Sequence, residues 1–216
     1  MTRRSSGTAQ VPRKISRSQR RQQLIDATMG VLARKGYAQT TLSDVAAEAG
    51  VSHGLANFHF ETKEKLLTAT LLFMAEEYRN NWVRALEDAG PSPAEKLDAL
   101  LRADYEPAIC TPKHLACWCS FWGEVQSRPI YQQECASNDR RYIEKLEEIC
   151  AALRVQGVYE LDVVRTARVV RLVNEGLWLD MLSMKNPYSR EEAVATLYAC
   201  AASLFPRHFD SSGLLH

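Results

Sequence analysis

The sequence predicts an all-α protein of about nine helices, with a three-helix helix-turn-helix domain ahead of a larger helical body. Three observations point there. Apolar residues recur at spacings of three and four through most of the chain. Ser, Thr and Asp stand repeatedly just before such stretches, several followed by Pro or by Glu three positions on, which are helix starts. No alternating strand pattern and no internal repeat interrupts them.

The elements follow in order. Residues 1–15 are rich in Ser, Arg, Gly and Thr and are expected to form a disordered basic arm. Ser16 with Gln19 makes a capping box, and a helix runs from there to about Lys35. Leu24, Thr28, Val31 and Leu32 are its inner stripe, and Gly36 is its stop. Thr40 or Thr41 opens a second helix, with Val45, Ala46 and Ala49 inward and Gly50 at its end. Ser52 caps a short third helix ending near Phe60. Thr62 with Lys65 opens a long fourth helix to about Asp88. The expected domains are thus 16–72 for the front and 73–216 for the body.

In the body, Ala89-Gly90-Pro91 is a break, and Ser92-Pro93-Ala94-Glu95 restarts a helix. Thr111-Pro112 opens an aromatic helix expected to reach about Ser127, and Pro129 is expected to kink or interrupt it. The next helix covers about Ile130 to Val155 and is closed by Gly157. Asp162 starts a helix to about Met184. Asn186-Pro187 breaks the chain, and Ser189 to Glu192 caps the last helix, to about Phe205.

Composition narrows the functional classes. The chain has 216 residues, 46% apolar and 25% charged, a normal globular balance. No secretory signal is expected, and no run approaches the roughly 18 apolar residues of a membrane span, so a cytoplasmic location is expected. The net charge of +1 hides an asymmetry, +6 over residues 1–65 against −5 over the rest. A basic front on an acidic body suits a polyanionic partner for the front.

The third helix is the informative element of the front. It carries Gly54, Asn57 and His59, all mediocre helix formers. With Val51, Ala56 and Phe60 turned inward, Ser52, His53, Gly54, Leu55, Asn57 and Phe58 lie on or beside the open face. That suits a recognition helix in a major groove about 12 Å wide. Asn57 can both donate and accept, as adenine requires. Leu55 can touch a thymine methyl, and Gly54 lets the backbone come close. Thr40, Thr41, Ser52, His59 and Lys63 are candidate phosphate contacts.

These residues also support a resemblance. Residues 20–67, with TTLSDVAAEAGVSHGLANFHFETKEKLL at 40–67, resemble the DNA-binding domain of the tetracycline-repressor (TetR) family. The resemblance implies a homodimer of all-α subunits. It places Thr41, Ser52, His53, Asn57, Phe58, His59 and Lys63 where family members touch DNA. Family members often have tyrosines at the positions of Asn57 and Phe58, and Phe58 has no hydroxyl to donate.

The body holds an aromatic cluster. Trp118 and Trp122 are i,i+4 neighbours on one helix, and Trp178 sits in a second stretch, Asn174 to Asp180. Aromatic faces near acids suit a quaternary ammonium ion, which has no N–H to donate and is held by cation–π and Coulomb attraction. Tryptophans at helical spacing are more often plain core, and Glu124 and Asp180 suit solvated or ion-paired acids equally well.

The runs TPKHLACWCSFWGE at 111–124 and NEGLWLD at 174–180 are similar to the C-terminal domain of BetI-like repressors, which control choline uptake and oxidation. That resemblance implies choline as the effector. It makes Tyr105, Trp118, Phe121, Trp122 and Trp178 candidate ligand contacts, with Glu124 or Glu175 as counter-charge.

Two more stripes predict the dimer face: Val163, Ala167, Val170, Asn174, Leu177 and Met181, and Val194, Leu197, Tyr198, Ala201 and Ala202. A two-fold dimer reads a near-palindromic operator of duplex DNA. No cofactor or metal is expected. The histidines at 53, 59, 114, 208 and 216 are scattered, no catalytic motif appears, and an enzyme is not expected. The alternatives are a regulator sensing another small molecule and a thiol-based redox repressor using Cys110, Cys117 or Cys119.

Overall fold

Short polar side chains set nearly every helix start in the structure, a computed structural model that describes residues 16–124 and 129–215. The basic arm expected at 1–15, the helix end expected at 125–127, and His216 lie outside the described residues.

Ser16 and Gln19 form the capping box of α1 (Arg17–Gln39), which is interrupted at Gly36, with φ 73°. Thr41 caps α2 (Leu42–Glu48), Ser52 caps α3 (His53–Phe60), and Thr62 caps α4 (Lys63–Asp88). Ser92 and Glu95 box the start of α5 (Pro93–Ala103), and Thr111 caps α6 (Pro112–Trp122). α7 (Pro129–Gly157), α8 (Val163–Ser183) and α9 (Arg190–Leu204) complete the body. Each such cap stabilises its helix by about 1 kcal/mol.

Two expectations are corrected. The first is the aromatic helix, which stops at Trp122, with Gly123 as its C-cap. Pro129 is the first residue of α7, a position that tolerates its fixed φ and missing N–H. α7 closes at Gly157 as expected, and the residue after it, Val158, takes a left-handed φ of 51°. Gly157 also leaves space, since a Cβ there would lie 2.2 Å from the Tyr159 ring. The second correction is that the chain is not entirely free of strands. β1 (Phe209–Asp210) pairs antiparallel with β2 (Gly213–Leu214), around an Asp210 carboxylate that accepts from the Ser212 N–H at 2.7 Å. Two residues are too few to show an alternating pattern.

Two cores form. Leu24, Val31, Val45, Ala56, Phe60 and Leu66 lie in the front core. Met29 and Leu32 from α1, and Leu67, Leu71 and Met74 from α4, point the other way into the body core. Both helices thus belong to both units. α6 completes the joint by packing on α1. There the Cys117 thiol donates to the Met29 carbonyl at 3.2 Å, and the Tyr37 and Phe121 rings meet edge to face at 5.9 Å.

The stripes expected at the dimer face turn mostly inward. Ala167, Val170, Asn174, Leu197, Tyr198 and Ala201 are buried within their own subunit. The outward apolar positions of α8 are Val164, Val169, Leu172 and Leu179. A spacing of three and four fits either side of a helix with apolar residues on both, so periodicity could not choose between them.

Candidate functional site

The turn between α2 and α3 is built for a tight reversal. Gly50 takes φ 64°, a region open to glycine at little cost. The Val51 N–H donates to the Ala46 carbonyl at 2.9 Å. Gln23 of α1 donates from Nε2 to the Ala49 carbonyl at 2.7 Å, tying the turn to the first helix. With Ala56 and Phe60 buried, α3 presents Ser52, His53, Gly54, Asn57 and Phe58 to solvent, and Leu55 and His59 at the edges.

Phe58 is 66% exposed, a large ring with no core to fill. The Arg17 guanidinium lies 5.8 Å from its centroid, and Arg21 lies 4.5 Å from that of Phe60. Partial burial, followed by the positive charges of Arg17, Arg20 and Arg21, pushes the His59 imidazole below its usual range. These three arginines flank the open face. In the sequence they belong only to the basic front, because their approach to α3 depends on packing between separate helices.

The candidate phosphate contacts divide. Thr41 is exposed, and its hydroxyl accepts from the Asp44 N–H at 3.1 Å as the α2 cap. Lys63 donates to the Ala38 carbonyl at 2.8 Å and lies 5.7 Å from the Tyr37 ring centroid, holding the start of α4 to the end of α1. Thr40 is a correction. It is only 1% exposed, and its hydroxyl donates to the Gly36 carbonyl at 2.8 Å, so its side chain braces the break in α1 and cannot reach a phosphate.

The body holds a partly open cavity of about 190 Å³ between α4, α6, α7 and α8. Among the described residues five aromatic side chains wall it: Tyr78, Trp118, Trp122, Tyr142 and Trp178. Tyr78 is their hub, with ring centroids 6.3 Å from Trp118, 5.9 Å from Tyr142 and 5.9 Å from Trp178. Trp118 and Trp122 stack at 6.3 Å, as their i,i+4 spacing implies. Asp139, Arg171, Asn174 and Glu175 add a polar side, where Arg171 pairs with Glu175. Burial raises the Asp139 carboxyl; Glu175 adds to this and Arg171 opposes it.

Behind this wall lies Asp104, the C-cap of α5, 2% exposed. Its Oδ2 accepts from Asn174 Nδ2 at 2.7 Å and from the Tyr142 hydroxyl at 3.4 Å. Burial pushes its carboxyl up to about 7, and hydrogen bonds from Tyr78 and Tyr142 limit the rise. Asp104 Oδ1, Asn174 Oδ1 and Trp178 Nε1 are buried and find no hydrogen-bond partner among the described residues.

Of the expected ligand residues, the structure brings Trp118, Trp122, Trp178 and Glu175 to the cavity. Three others are corrected. Phe121 is one position short of the cavity-facing register and packs on Tyr37. Glu124 follows the end of α6, past the Gly123 cap, and is not in the lining. Tyr105 is buried in the turn after α5, outside the lining. The missed walls are Tyr78, which reads as ordinary core on its apolar stripe, and Tyr142, which no motif marks. Asn174, expected on the dimer stripe, lines the cavity instead.

The thiols do not favour redox sensing. Burial pushes Cys110 up to about 11 and Cys117 up to about 12, and it raises the half-buried Cys119 as well. Groups so placed hold little thiolate at neutral pH. Among the described residues no group of three His, Cys, Asp or Glu could hold a metal ion, and no helix is long and apolar enough to cross a membrane.

A recognition-type helix on a small front, bolted through two shared helices to a body with an aromatic cavity, defines a helix-turn-helix transcriptional regulator. Comparison with known proteins narrows this. Residues 24–70 match the model for bacterial regulatory proteins of the tetR family, and residues 93–206 match that of the BetI-type transcriptional repressor C-terminal domain. The chain belongs to the TetR family, with a BetI-type C-terminal domain.

The HTH-type transcriptional regulator BetI of Rhizobium meliloti (strain 1021) is 30% identical over 183 residues, covering 82% of this chain and 84% of that protein. BetI of Agrobacterium fabrum is 31% identical over 166 residues, covering 68% and 79%. A transcriptional regulator from Pseudomonas aeruginosa PAO1 superposes with a TM-score of 0.77 at 25% identity, over 91% of this chain and 97% of that one. A transcriptional regulator from Saccharomonospora viridis, solved in complex with choline, shares the fold with a TM-score of 0.76 at 20% identity, over 85% and 96%. These relatives are regulators, and the chain is a regulator and not an enzyme.

Proposed function

We propose that the chain is a repressor that binds a near-palindromic operator as a homodimer in the cytoplasm and is controlled by choline or a related quaternary ammonium compound. The observation that carries the effector class is the five-ring cavity. A permanently charged ammonium with methyl groups cannot donate an N–H. Ring faces attract it by their quadrupoles, and such contacts strengthen when water is excluded. The choline bound by the Saccharomonospora viridis regulator, which shares this fold, supports the same reading.

On the DNA side, Asn57 reads a base edge, Leu55 and Phe58 make apolar contacts, and Gly54 permits close approach. Thr41, Ser52, His53, His59 and Lys63 bind phosphates, joined by Arg17, Arg20 and Arg21. Two copies of α3 then enter successive major grooves. The outward face of α8, with Val169, Leu172 and Leu179, supplies the dimer contact together with α9.

Signal passes through the shared helices. The cavity is walled by Tyr78 on α4, whose first residue is Lys63, and by Trp118 and Trp122 on α6, which packs on α1. A ligand that spreads these walls shifts α1 and α4 together and alters the separation of the two recognition helices. A coupling of 1–3 kcal/mol, about 5–150-fold in operator affinity, is typical for such a link.

Isothermal titration with choline tests the effector. Saturable binding is expected. A folded protein that gives no heat at millimolar choline would remove choline from the account.

A further inference from the structure

The cavity's visible acids are poor partners for a cation. Glu175 already pairs with Arg171, and Asp139 lies under the influence of both. Asp104 is different. The groups that face it are the phenols of Tyr78 from α4 and Tyr142 from α7, the Asn174 amide, and the like charge of Glu175 from α8. Tyr105 and Cys110, in the turn that follows α5, complete its titratable surroundings. Its position at the C-terminal end of α5 adds the negative end of a helix dipole. Among the described residues, none of these groups brings the carboxyl a compensating positive charge.

The hydrogen bonds point through the cavity wall. Asn174 and Tyr142 both line the cavity, and both bond the same Asp104 oxygen. Tyr78, the hub of the rings, is the third group on this carboxyl. Asp104 therefore stands one layer behind the ring faces, close enough for its charge to be felt in the cavity and shielded from water. We propose that Asp104 is the charge partner of a cationic effector in the aromatic cavity, and that cation binding is linked to loss of a proton from its carboxyl. This rests on the cation reading of the cavity given above.

The linkage has a defined sign. In the empty protein the carboxyl titrates at about 7, so it is mostly protonated at pH 6 and mostly ionised at pH 8. A quaternary ammonium cannot lose its own charge. Its arrival favours the carboxylate and lowers that titration. As pH falls below 7 a growing share of the bound cations must expel a proton, so binding weakens with acid. Between pH 6 and pH 8 the affinity should rise about tenfold, with about half a proton released per cation at pH 7. Asp104 acts as a positioning and charge-setting residue through Tyr78, Tyr142 and Asn174, without needing to touch the ligand.

The test is calorimetry on the full chain at pH 6, 7 and 8, in phosphate and in Tris, whose ionisation heats differ. The probes are choline, tetramethylammonium and 3,3-dimethylbutan-1-ol, the uncharged carbon analogue of choline. The expected result is a buffer-dependent heat and the tenfold tightening for both cations, and neither for the alcohol. Asp104→Asn should flatten the pH profile of the cations. Cation binding with no proton release, or the same profile for the alcohol or in Asp104→Asn, overturns this inference and leaves the cation site standing. No heat from either cation at any pH overturns both. Should Asp104→Asn fail to fold, the proton count on the unaltered chain decides alone.

Discussion

The rings of Tyr37 and Phe121 meet edge to face, 5.9 Å apart, where the first helix of the DNA-binding front touches the aromatic helix of the body. Tyr37 also faces the Lys63 ammonium at 5.7 Å. One aromatic pair therefore joins α6, the end of α1 and the start of α4. Phe121→Leu keeps apolar bulk and removes the ring contact. We expect operator and ligand affinities near those of the unaltered chain, and a ligand-induced loss of operator affinity several-fold smaller. Anisotropy titrations of labelled operator with and without choline measure it. Unchanged coupling would show that this joint transmits nothing.

On α3, Asn57→Ala should weaken specific binding by about 1–3 kcal/mol and leave non-specific binding nearly intact. Competition between operator and random duplex checks this. An equal loss on both would make Asn57 a backbone contact.

Two tryptophans of the cavity should behave differently. Trp178 is 4% exposed, so Trp178→Ala should cost about 3–5 kcal/mol of stability as well as the ligand. Trp122 is only half-buried at the wall. Trp122→Ala should weaken choline binding at least tenfold with a small change in melting temperature. Normal choline affinity in a folded Trp122→Ala protein would place the cation elsewhere.

Val158 is a β-branched residue at φ 51° with a side chain 77% exposed. It suffers the left-handed backbone and gains little burial in return. Val158→Gly should raise stability by about 1 kcal/mol, roughly 2–4 °C in melting temperature. A drop on thermal denaturation contradicts the backbone assignment.

Asp104 also makes stability depend on pH. Burial raises its folded-state value to about 7 from the ordinary carboxyl value of 3.8, so the folded chain holds more protons between these values than the unfolded chain. Its contribution is fully present below the unfolded value and is lost as pH rises through 7. The ligand-free melting temperature should therefore fall from pH 5 to pH 8, and Asp104→Asn should reduce that slope. A slope unaffected by the substitution would mean that Asp104 does not titrate there.

Local chemistry made much of this legible in the sequence. Ser16 with Gln19, Ser92 with Glu95, and Gly50 announced their caps and turn through contacts within a few residues. The open face of α3 followed from which of its side chains were apolar. Positions that depend on which helix lies opposite were harder. Tyr78 and Tyr142 reach the cavity only because α4 and α7 flank it, and the apolar periodicity of α4 is the same for core and for cavity wall. Asp104 carries no motif, and its importance lies in burial. The stripe through Asn174 was placed on the wrong side because α8 has apolar residues on both.

The most direct test is a single titration. Duplex DNA selected from a random pool by the full chain is held at physiological salt, and its binding is followed as choline is added at pH 8. The account requires a marked preference for the selected duplex over random competitor, and a fall in affinity of about 5–150-fold at saturating choline. An affinity that choline leaves untouched, in a chain that demonstrably binds both, would contradict it.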